Sequence, residues 1–190
     1  MQVLFFFKIF KALDIHKRRQ LLCVYFLSKL MAKLYVPHGF IGFGKTTFAR
    51  NFSIQNNAFY VNNDDWMLKL YGNNPNASKF DEYWNNINNI QMELIEKLLN
   101  YGVDVIFDNG MWQKSERDEI RQFAQTHDAD CMFYKIECDI PTAKQRVSKR
   151  NDSNAMLISE ETFDEKFQYF QPMDSTETFI TIPQNFNTQQ

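Results

Sequence analysis

A glycine-rich segment constrains this chain more than any other feature. Residues 39–46 read Gly-Phe-Ile-Gly-Phe-Gly-Lys-Thr and match the pattern G-x-x-x-x-G-K-T. In such a turn, successive backbone N–H groups point inward and cradle the phosphates of a nucleotide. Lys45 then reaches the β- and γ-phosphates, and the Thr46 hydroxyl binds Mg²⁺. We therefore assign the following residues to nucleotide binding: Gly39, Gly42, Gly44, Lys45, Thr46 and Thr47.

The context of this segment supports the assignment. Residues 33–38 form a short, mostly apolar strand candidate that runs straight into the turn, and residues 46–52 form a helix candidate that leaves it. Strand, loop and helix in this order are the context that a phosphate-binding loop requires, because the helix presents its positive N-terminal end to the anion. The alternative is a glycine-rich turn that binds no phosphate.

Strand and helix patterns alternate along the rest of the chain. Apolar runs predict further strands at 58–61, 103–108, 131–137 and 178–182. Periodic apolar residues and cap signals predict helices at 80–101, at 116–126 with Ser115 as its cap, from Pro141 onward, and at 162–170, with 151–161 as a loop. This alternation predicts an α/β fold with a mainly parallel, five-stranded sheet between helices.

Two acidic positions follow strand candidates. Because the strands are parallel, their C-terminal ends share one sheet edge with Thr46, and ligands of open α/β sheets bind at that edge. Asp108 ends the third strand and fits a Walker B acid that binds Mg²⁺ together with Thr46. Asp64 or Asp65, after the second strand, would take a proton from a substrate hydroxyl. The alternatives are an ordinary acid at a strand end and a solvated pair in a turn.

Basic residues repeat at four-residue spacing on two predicted helices. Arg146 and Arg150 share a helix face and would hold the transferred γ-phosphate within a lid at about residues 141–160. A solvated helix face is the alternative. Arg117 and Arg121 have the same spacing on the preceding helix. We expect them on the surface, and contact with a substrate phosphate is the alternative.

Charge and cysteine content restrict the partners and the compartment. The first 30 residues carry six Lys or Arg against one Asp, which leaves fifteen against twenty-two in the rest. A nucleic-acid partner is therefore not expected for the acidic body. The chain has three cysteines and no C-x-x-C pair, which favours reduced thiols in the cytoplasm. No apolar run approaches the roughly 18 residues of a membrane span.

The segment before Met31 differs from the remainder. Residues 1–30 combine apolar runs with the basic triplet 17–19, and they lack the layout of a secretory signal. We expect this extension to be dispensable, with residues 31–190 forming the phosphate-binding domain. An amphipathic helix on a membrane surface remains an alternative. A chain that begins at Met31 tests the expectation through its solubility and nucleotide binding.

These motifs together resemble a known family. The segments that carry the resemblance are 39–47, Asp64-Asp65-Trp66-Met67 with Leu70-Tyr71-Gly72, 105–108 with Gly110-Met111-Trp112, Arg117-Asp118, and 146–151. They resemble the AAA-type ATP-binding proteins of the P-loop kinase group, which are similar to zeta toxin and chloramphenicol phosphotransferase. The resemblance covers about residues 33–170. Phe43 and Asn109 depart from it, since a small residue and an apolar residue are commoner there.

The resemblance implies an adenylate-kinase-like P-loop fold, with ATP and Mg²⁺ as ligands. It implies Asp64 as the base and Arg146 and Arg150 as lid residues. The expected function is that of an ATP-dependent kinase acting on a hydroxyl of a small molecule, with Lys45 acting in catalysis. The alternatives are a nucleotide-sugar kinase of the zeta-toxin type and a non-catalytic ATP-binding switch or NTPase.

Overall fold

The fold is given by a computed structural model that describes residues 31–149 and 157–184. Five strands lie within these ranges: β1 (Lys33–His38), β2 (Phe59–Asn62), β3 (Val105–Asp108), β4 (Asp130–Ile136) and β5 (Ile180–Ile182). They form one sheet in the order β2-β3-β1-β4-β5, and all neighbouring pairs are parallel. The prediction of a five-stranded sheet in an α/β fold is confirmed, and the sheet is parallel throughout.

Helices connect the strands. They are α1 (Lys45–Asn56), α2 (Asn63–Tyr71), a 3-10 turn (Ala77–Lys79), α3 (Phe80–Asn100), α4 (Lys114–Thr126), α5 (Ile140–Ser148) and α6 (Glu160–Phe167). Side chains cap several of them at the start: Asn62 accepts from the Asp65 N–H, Asp139 from Thr142, and Ser159 from Thr162. Each cap satisfies an N–H group that has no partner within its helix.

Several predicted boundaries shift. Helix α4 begins at Lys114, where the Gln113 N–H donates to the Glu116 carboxylate at 2.8 Å, so the prediction of Ser115 as the cap was wrong. Helix α6 begins at Glu160, inside the predicted loop 151–161, because the Ser159 side chain supplies the cap. Residues 150–156 of the predicted loop and lid lie outside the described ranges, as do residues 1–30.

Alternation along the strands divides the core between the two faces of the sheet. On β1, Leu34 and Val36 pack on one side with Ile95 of α3. Tyr35 packs on the other side with Phe48 of α1. The central position of β1 keeps both faces covered, as expected for a parallel sheet. Its pairing with β3 is limited to two residue pairs and ends before Pro37, which has no N–H to donate.

This topology places the C-terminal ends of β1, β2 and β3 at one edge of the sheet. Strands β1, β2 and β3 are adjacent and parallel, so the segments after His38, Asn62 and Asp108 leave the sheet side by side. No helix within the described ranges is long and apolar enough to cross a membrane.

Candidate active site

The glycine loop (Gly39–Thr46) joins β1 to α1. Gly42 and Gly44 have φ angles of 80° and 100°, in the left-handed region that favours glycine. A Cβ built on Gly42 would lie 2.6 Å from the Ala143 carbonyl oxygen of α5. Gly44 is the N-cap of α1, and no side chain caps that helix. The loop therefore brings backbone to a helix N-terminus in the way an anion site requires.

Lys45 and Thr46 extend from the first turn of α1. The Lys45 Nζ donates to the Phe40 carbonyl oxygen at 3.0 Å and so closes the loop on itself. The Thr46 side chain lies near the Asp108 carboxyl at the end of β3 and is one of the groups that lower the pKa of that carboxyl against the effect of burial. The structure thus brings three predicted site residues, Lys45, Thr46 and Asp108, together at the predicted sheet edge.

Asp108 is 3% exposed and held by several donors. Its Oδ2 accepts from the Asn62 Nδ2 at 2.7 Å and from the Tyr60 hydroxyl at 3.3 Å. Burial raises the pKa of this carboxyl, and the Lys45 charge and the hydrogen bonds oppose the rise. A carboxylate beside a threonine hydroxyl supplies the oxygen ligands that Mg²⁺ prefers. No group of three or more His, Cys, Asp or Glu that could hold a metal ion occurs in the described part of the chain.

The two acids after β2 have different surroundings. Asp64 and Asp65 lie in the first turn of α2, and Asp64 is the exposed one. The Asp65 carboxylate accepts two hydrogen bonds from the Arg50 guanidinium of α1, at 2.9 and 3.1 Å. Arg50 also lies over the Tyr60 ring, 5.7 Å from its centroid. Asp65 is therefore part of an ion pair with Arg50, whereas Asp64 is exposed to solvent.

Neutral amides surround this side of the sheet edge. Asn88 of α3 accepts at its Oδ1 from the Asn63 Nδ2 at 3.4 Å and from the Asn109 Nδ2 at 3.1 Å. The Asn109 Oδ1 accepts from the Gly110 N–H at 2.7 Å. Asn109 departs from the apolar residue usual at its position, and the structure shows that it links the end of β3 to α3.

Arg146 lies against the glycine loop. Its Nη1 is 3.3 Å from the carbonyl oxygens of Gly42 and Phe43 and 3.6 Å from the Cys138 sulfur. The side chain is therefore next to the loop but contacts its carbonyls. Arg150 lies outside the described residues.

Aromatic side chains support the glycine loop from within. Phe43 is buried and packs edge-on to Phe40, and Phe40 lies 5.0 Å from the Trp112 ring. The same group includes Phe163, Phe167 and Phe170 from α6 and the segment after it. Phe43 thus fills the core beneath the loop, which explains how a large residue is accommodated at a position usually held by a small one.

A cavity of about 360 Å³ opens beside the loop. His38, Gly39 and Phe43 line it together with the end of β4, Phe170 and Gln184. Its volume lies in the range of small-ligand sites, about 300–1,000 Å³.

His38 ends β1 directly before the loop and is 1% exposed. Its Nδ1 donates to the Met111 carbonyl oxygen at 3.1 Å, and its ring stacks on Phe170. Burial, followed by the nearby charge of Arg117, lowers the pKa of the imidazole to about 3. The ring is therefore neutral in the folded protein at pH 7.

This neutral histidine predicts a pH-dependent stability. In the unfolded state, His38 binds a proton near pH 6.5. The contribution of the neutral His38 to the free energy of unfolding is therefore complete above pH 6.5 and is lost as pH falls from 6.5 toward 3. The free energy of unfolding should fall by up to about 1.4 kcal/mol per pH unit there from this group. His38→Asn keeps a donor but no titratable ring, so urea unfolding at pH 7.5, 6 and 5 should give a smaller pH slope for the variant. Equal slopes would contradict the argument.

Arg117 contradicts the sequence expectation. It was expected on the surface, but its side chain is 1% exposed and forms a bidentate pair with Glu177. Arg121 is partly exposed and also contacts Glu177. No spacing rule identifies this pair, because Glu177 lies 60 residues away on a segment between α6 and β5. The sequence also did not predict the roles of Arg50, Tyr60 and Asn62, because their partners Asp65 and Asp108 are not their neighbours in the chain.

The loop, the buried carboxylate and the parallel sheet define a P-loop nucleotide-binding α/β protein. A sequence family described as an AAA domain matches residues 34–173. The chain therefore belongs to this AAA domain family. No curated protein is significantly similar to the chain in sequence.

Several solved structures share the fold. An unliganded sugar kinase from Janibacter sp. HTCC2649 is 16% identical with a TM-score of 0.58, over 81% of this chain and 86% of that one. A gluconokinase from Sinorhizobium meliloti 1021 is 12% identical with a TM-score of 0.56, over 81% and 83%. A chain of the Pnkp1/Rnl/Hen1 RNA repair complex is 23% identical with a TM-score of 0.66, over 83% of this chain but only half of that one. At these identities the comparison shows the fold of P-loop kinases.

Proposed function

We propose that this protein is an ATP-dependent kinase that transfers the γ-phosphate to a hydroxyl of a small molecule. The single observation that carries the proposal is the geometry of the glycine loop, which turns through the left-handed Gly42 and Gly44 into the N-terminus of α1 and places Lys45 and Thr46 in the first turn of that helix. These are the parts that phosphoryl transfer requires, because positioning and charge neutralisation are most of its catalysis.

The roles of the residues follow from their positions. Backbone N–H groups of the glycine loop and Thr47 at the start of α1 hold the phosphates, together with Lys45. Thr46 and Asp108 are the residues that would hold Mg²⁺, which when bound neutralises charge on the phosphate oxygens. This assignment fits the oxygen ligands present in the structure.

Asp64 acts as the general base. The acceptor oxygen forms a bond to the γ-phosphorus, the bond from that phosphorus to the bridging oxygen of ADP breaks, and the acceptor proton passes to the Asp64 carboxylate. Arg146 stabilises the transferred charge after its side chain leaves the carbonyls of Gly42 and Phe43. Arg150 is assigned the same role from the sequence alone.

The amides that follow β2 and β3 favour a neutral, hydroxyl-bearing acceptor. Asn88 and Asn109 are partly exposed and offer hydrogen-bonding groups without charge, while the buried Asn63 donates to Asn88. Two of the structural neighbours, a sugar kinase and a gluconokinase, agree with a sugar or a related polyol as the acceptor. A nucleotide sugar, as for a zeta-toxin-like kinase, is the second candidate.

Three further alternatives remain. The similarity to a chain of the RNA repair complex favours the 5′-hydroxyl of a nucleic acid as the acceptor. The excess of acidic residues after residue 30 opposes binding of a nucleic acid. A non-catalytic switch or a simple NTPase would use the same loop without an acceptor.

We also propose the cytoplasm as the location, since Cys131 and Cys138 are free thiols.

The test is a transfer assay with γ-labelled ATP and Mg²⁺ against panels of free sugars and polyols, nucleotide sugars, and 5′-hydroxyl oligonucleotides. Label on a sugar or polyol supports the leading proposal, and label on a member of another panel selects that alternative. Binding of Mg-ATP without transfer favours the switch, and steady phosphate release without an acceptor favours the NTPase. Absence of Mg-ATP binding refutes the proposal.

A further inference from the structure

A buried ion pair joins α4 to the segment between α6 and β5. The Arg117 Nε and Nη2 donate to the two carboxylate oxygens of Glu177 at 2.9 and 2.7 Å. The exposed fractions of the two side chains are 1% and 2%. Removing two charges from water is costly, so a pair this deeply buried needs every remaining donor satisfied. The contacts of the remaining Arg117 donors show which segments of the chain this ion pair fixes.

Those donors point at main-chain carbonyls of two segments. The Arg117 Nη1 is 3.2 Å from the Met111 oxygen and 3.0 Å from the oxygens of Trp112 and Gln171. Met111 has a φ angle of 44°, a left-handed conformation that is uncommon outside glycine. Arg117 therefore supports a strained turn directly after the Walker B strand, which we name the β3–α4 turn (Asn109–Gln113).

The β3–α4 turn in turn contacts the base of the glycine loop at two points. The Met111 carbonyl that accepts from Arg117 also accepts from the His38 Nδ1 at 3.1 Å. The Trp112 ring lies 5.0 Å from the ring of Phe40, which is fully buried. The Phe40 carbonyl accepts from the Lys45 Nζ. A continuous path of contacts thus joins Arg117 to the lysine that is assigned to the phosphates.

We propose that Arg117 is a positioning residue for nucleotide binding, which acts through Trp112 and Phe40 on the glycine loop. This inference rests on the proposed function, since it assumes that the loop binds Mg-ATP. Arg117 provides five donors in a planar fork, and lysine cannot reproduce that geometry. Loss of the fork releases the β3–α4 turn, and the loop then loses part of its preorganisation before ATP arrives.

Arg121 supplies a matched control. It lies one turn further along α4 and also donates to Glu177, at 2.9 Å. Its other contacts are Asp118 and the face of Phe133, and none of them is in the β3–α4 turn. Arg117→Lys and Arg121→Lys each remove one guanidinium from the same carboxylate. They differ in the contact to the turn, in burial, and in the number of hydrogen bonds to Glu177, which is two for Arg117 and one for Arg121.

The experiment measures the Kd of Mg-ATP by calorimetry for both variants at a temperature where circular dichroism shows each to be folded. We expect Arg117→Lys to raise the Kd at least tenfold and Arg121→Lys to leave it within twofold. Equal changes in the two variants would overturn the proposal. Wild-type protein that binds no Mg-ATP would refute the proposed function itself, which separates the two failures.

A second variant keeps the proposal testable if Arg117→Lys does not fold. Trp112→Leu leaves Arg117 in place and removes the ring that contacts Phe40. It should raise the Kd of Mg-ATP by a similar factor, and an unchanged Kd would overturn the proposal. Where both single variants fold, the Kd of Mg-ATP for the double variant should be no higher than that of the single variant with the higher Kd, because both changes break the same path. Additive losses would show that Arg117 acts by another route.

Discussion

Replacing Lys45 by alanine is expected to weaken Mg-ATP binding at least 100-fold, which corresponds to about 2.7 kcal/mol. The ammonium is the charged group of the glycine loop that is assigned to the β- and γ-phosphates. It also donates to the Phe40 carbonyl oxygen, so its loss opens the loop as well. Calorimetry with Mg-ATP measures the effect directly, and phosphate transfer should disappear with it.

The control for this variant is Lys69→Ala on the exposed surface of α2. It removes the same charge from the same protein and should leave the Kd within twofold. Circular dichroism and urea unfolding of both variants separate lost binding from lost structure. Full phosphate transfer by a folded Lys45→Ala protein would rule out the assigned nucleotide site.

Replacing Asp64 by asparagine is expected to lower the rate of phosphate transfer by about 10²- to 10⁴-fold, the usual contribution of a general base. The Kd of Mg-ATP should change little, because Asp64 is assigned to the acceptor and not to the phosphates. The amide keeps the shape of the side chain but cannot accept the proton. Single-turnover transfer to the acceptor found in the panel assay provides the measurement.

Asp65→Asn is the matched variant one residue along. It breaks the ion pair with Arg50, whose side chain is 55% exposed against 26% for Asp65. An ion pair that is largely open to water contributes at most about 1 kcal/mol, so we expect a small loss of stability and most of the transfer rate retained. A collapse of transfer in Asp65→Asn, with an active Asp64→Asn, would show that Asp65 is the base.

Local patterns were sufficient for the parts of the fold that depend on neighbouring residues. The spacing of Gly39, Gly44 and Lys45 predicted a loop between strand and helix, and the structure contains that loop. Apolar runs predicted the five strands, and the apolar period predicted α3 almost to its ends. These predictions hold because backbone conformation and strand alternation are determined over a few residues.

Helix starts were less predictable. The sequence offered Ser115 as a cap for α4, whereas the helix begins at Lys114 and the Gln113 N–H finds its partner in Glu116. Helix α6 starts at Glu160, where a polar loop was predicted. Polar residues with similar cap preference lie close together at these points, and tertiary packing chooses between them.

The sequence by itself determined the glycine-rich loop between strand and helix, the parallel α/β sheet and the edge at which Thr46, Asp64 and Asp108 emerge, because each depends on short-range spacing or on strand direction. Only the tertiary structure decided that Asp65 is held by Arg50, that Phe43 packs inside the core, and that Arg117 is buried against Glu177. The Arg117–Glu177 contact joins residues that are 60 positions apart, and burial of a charge becomes favourable only where the fold supplies all of its partners.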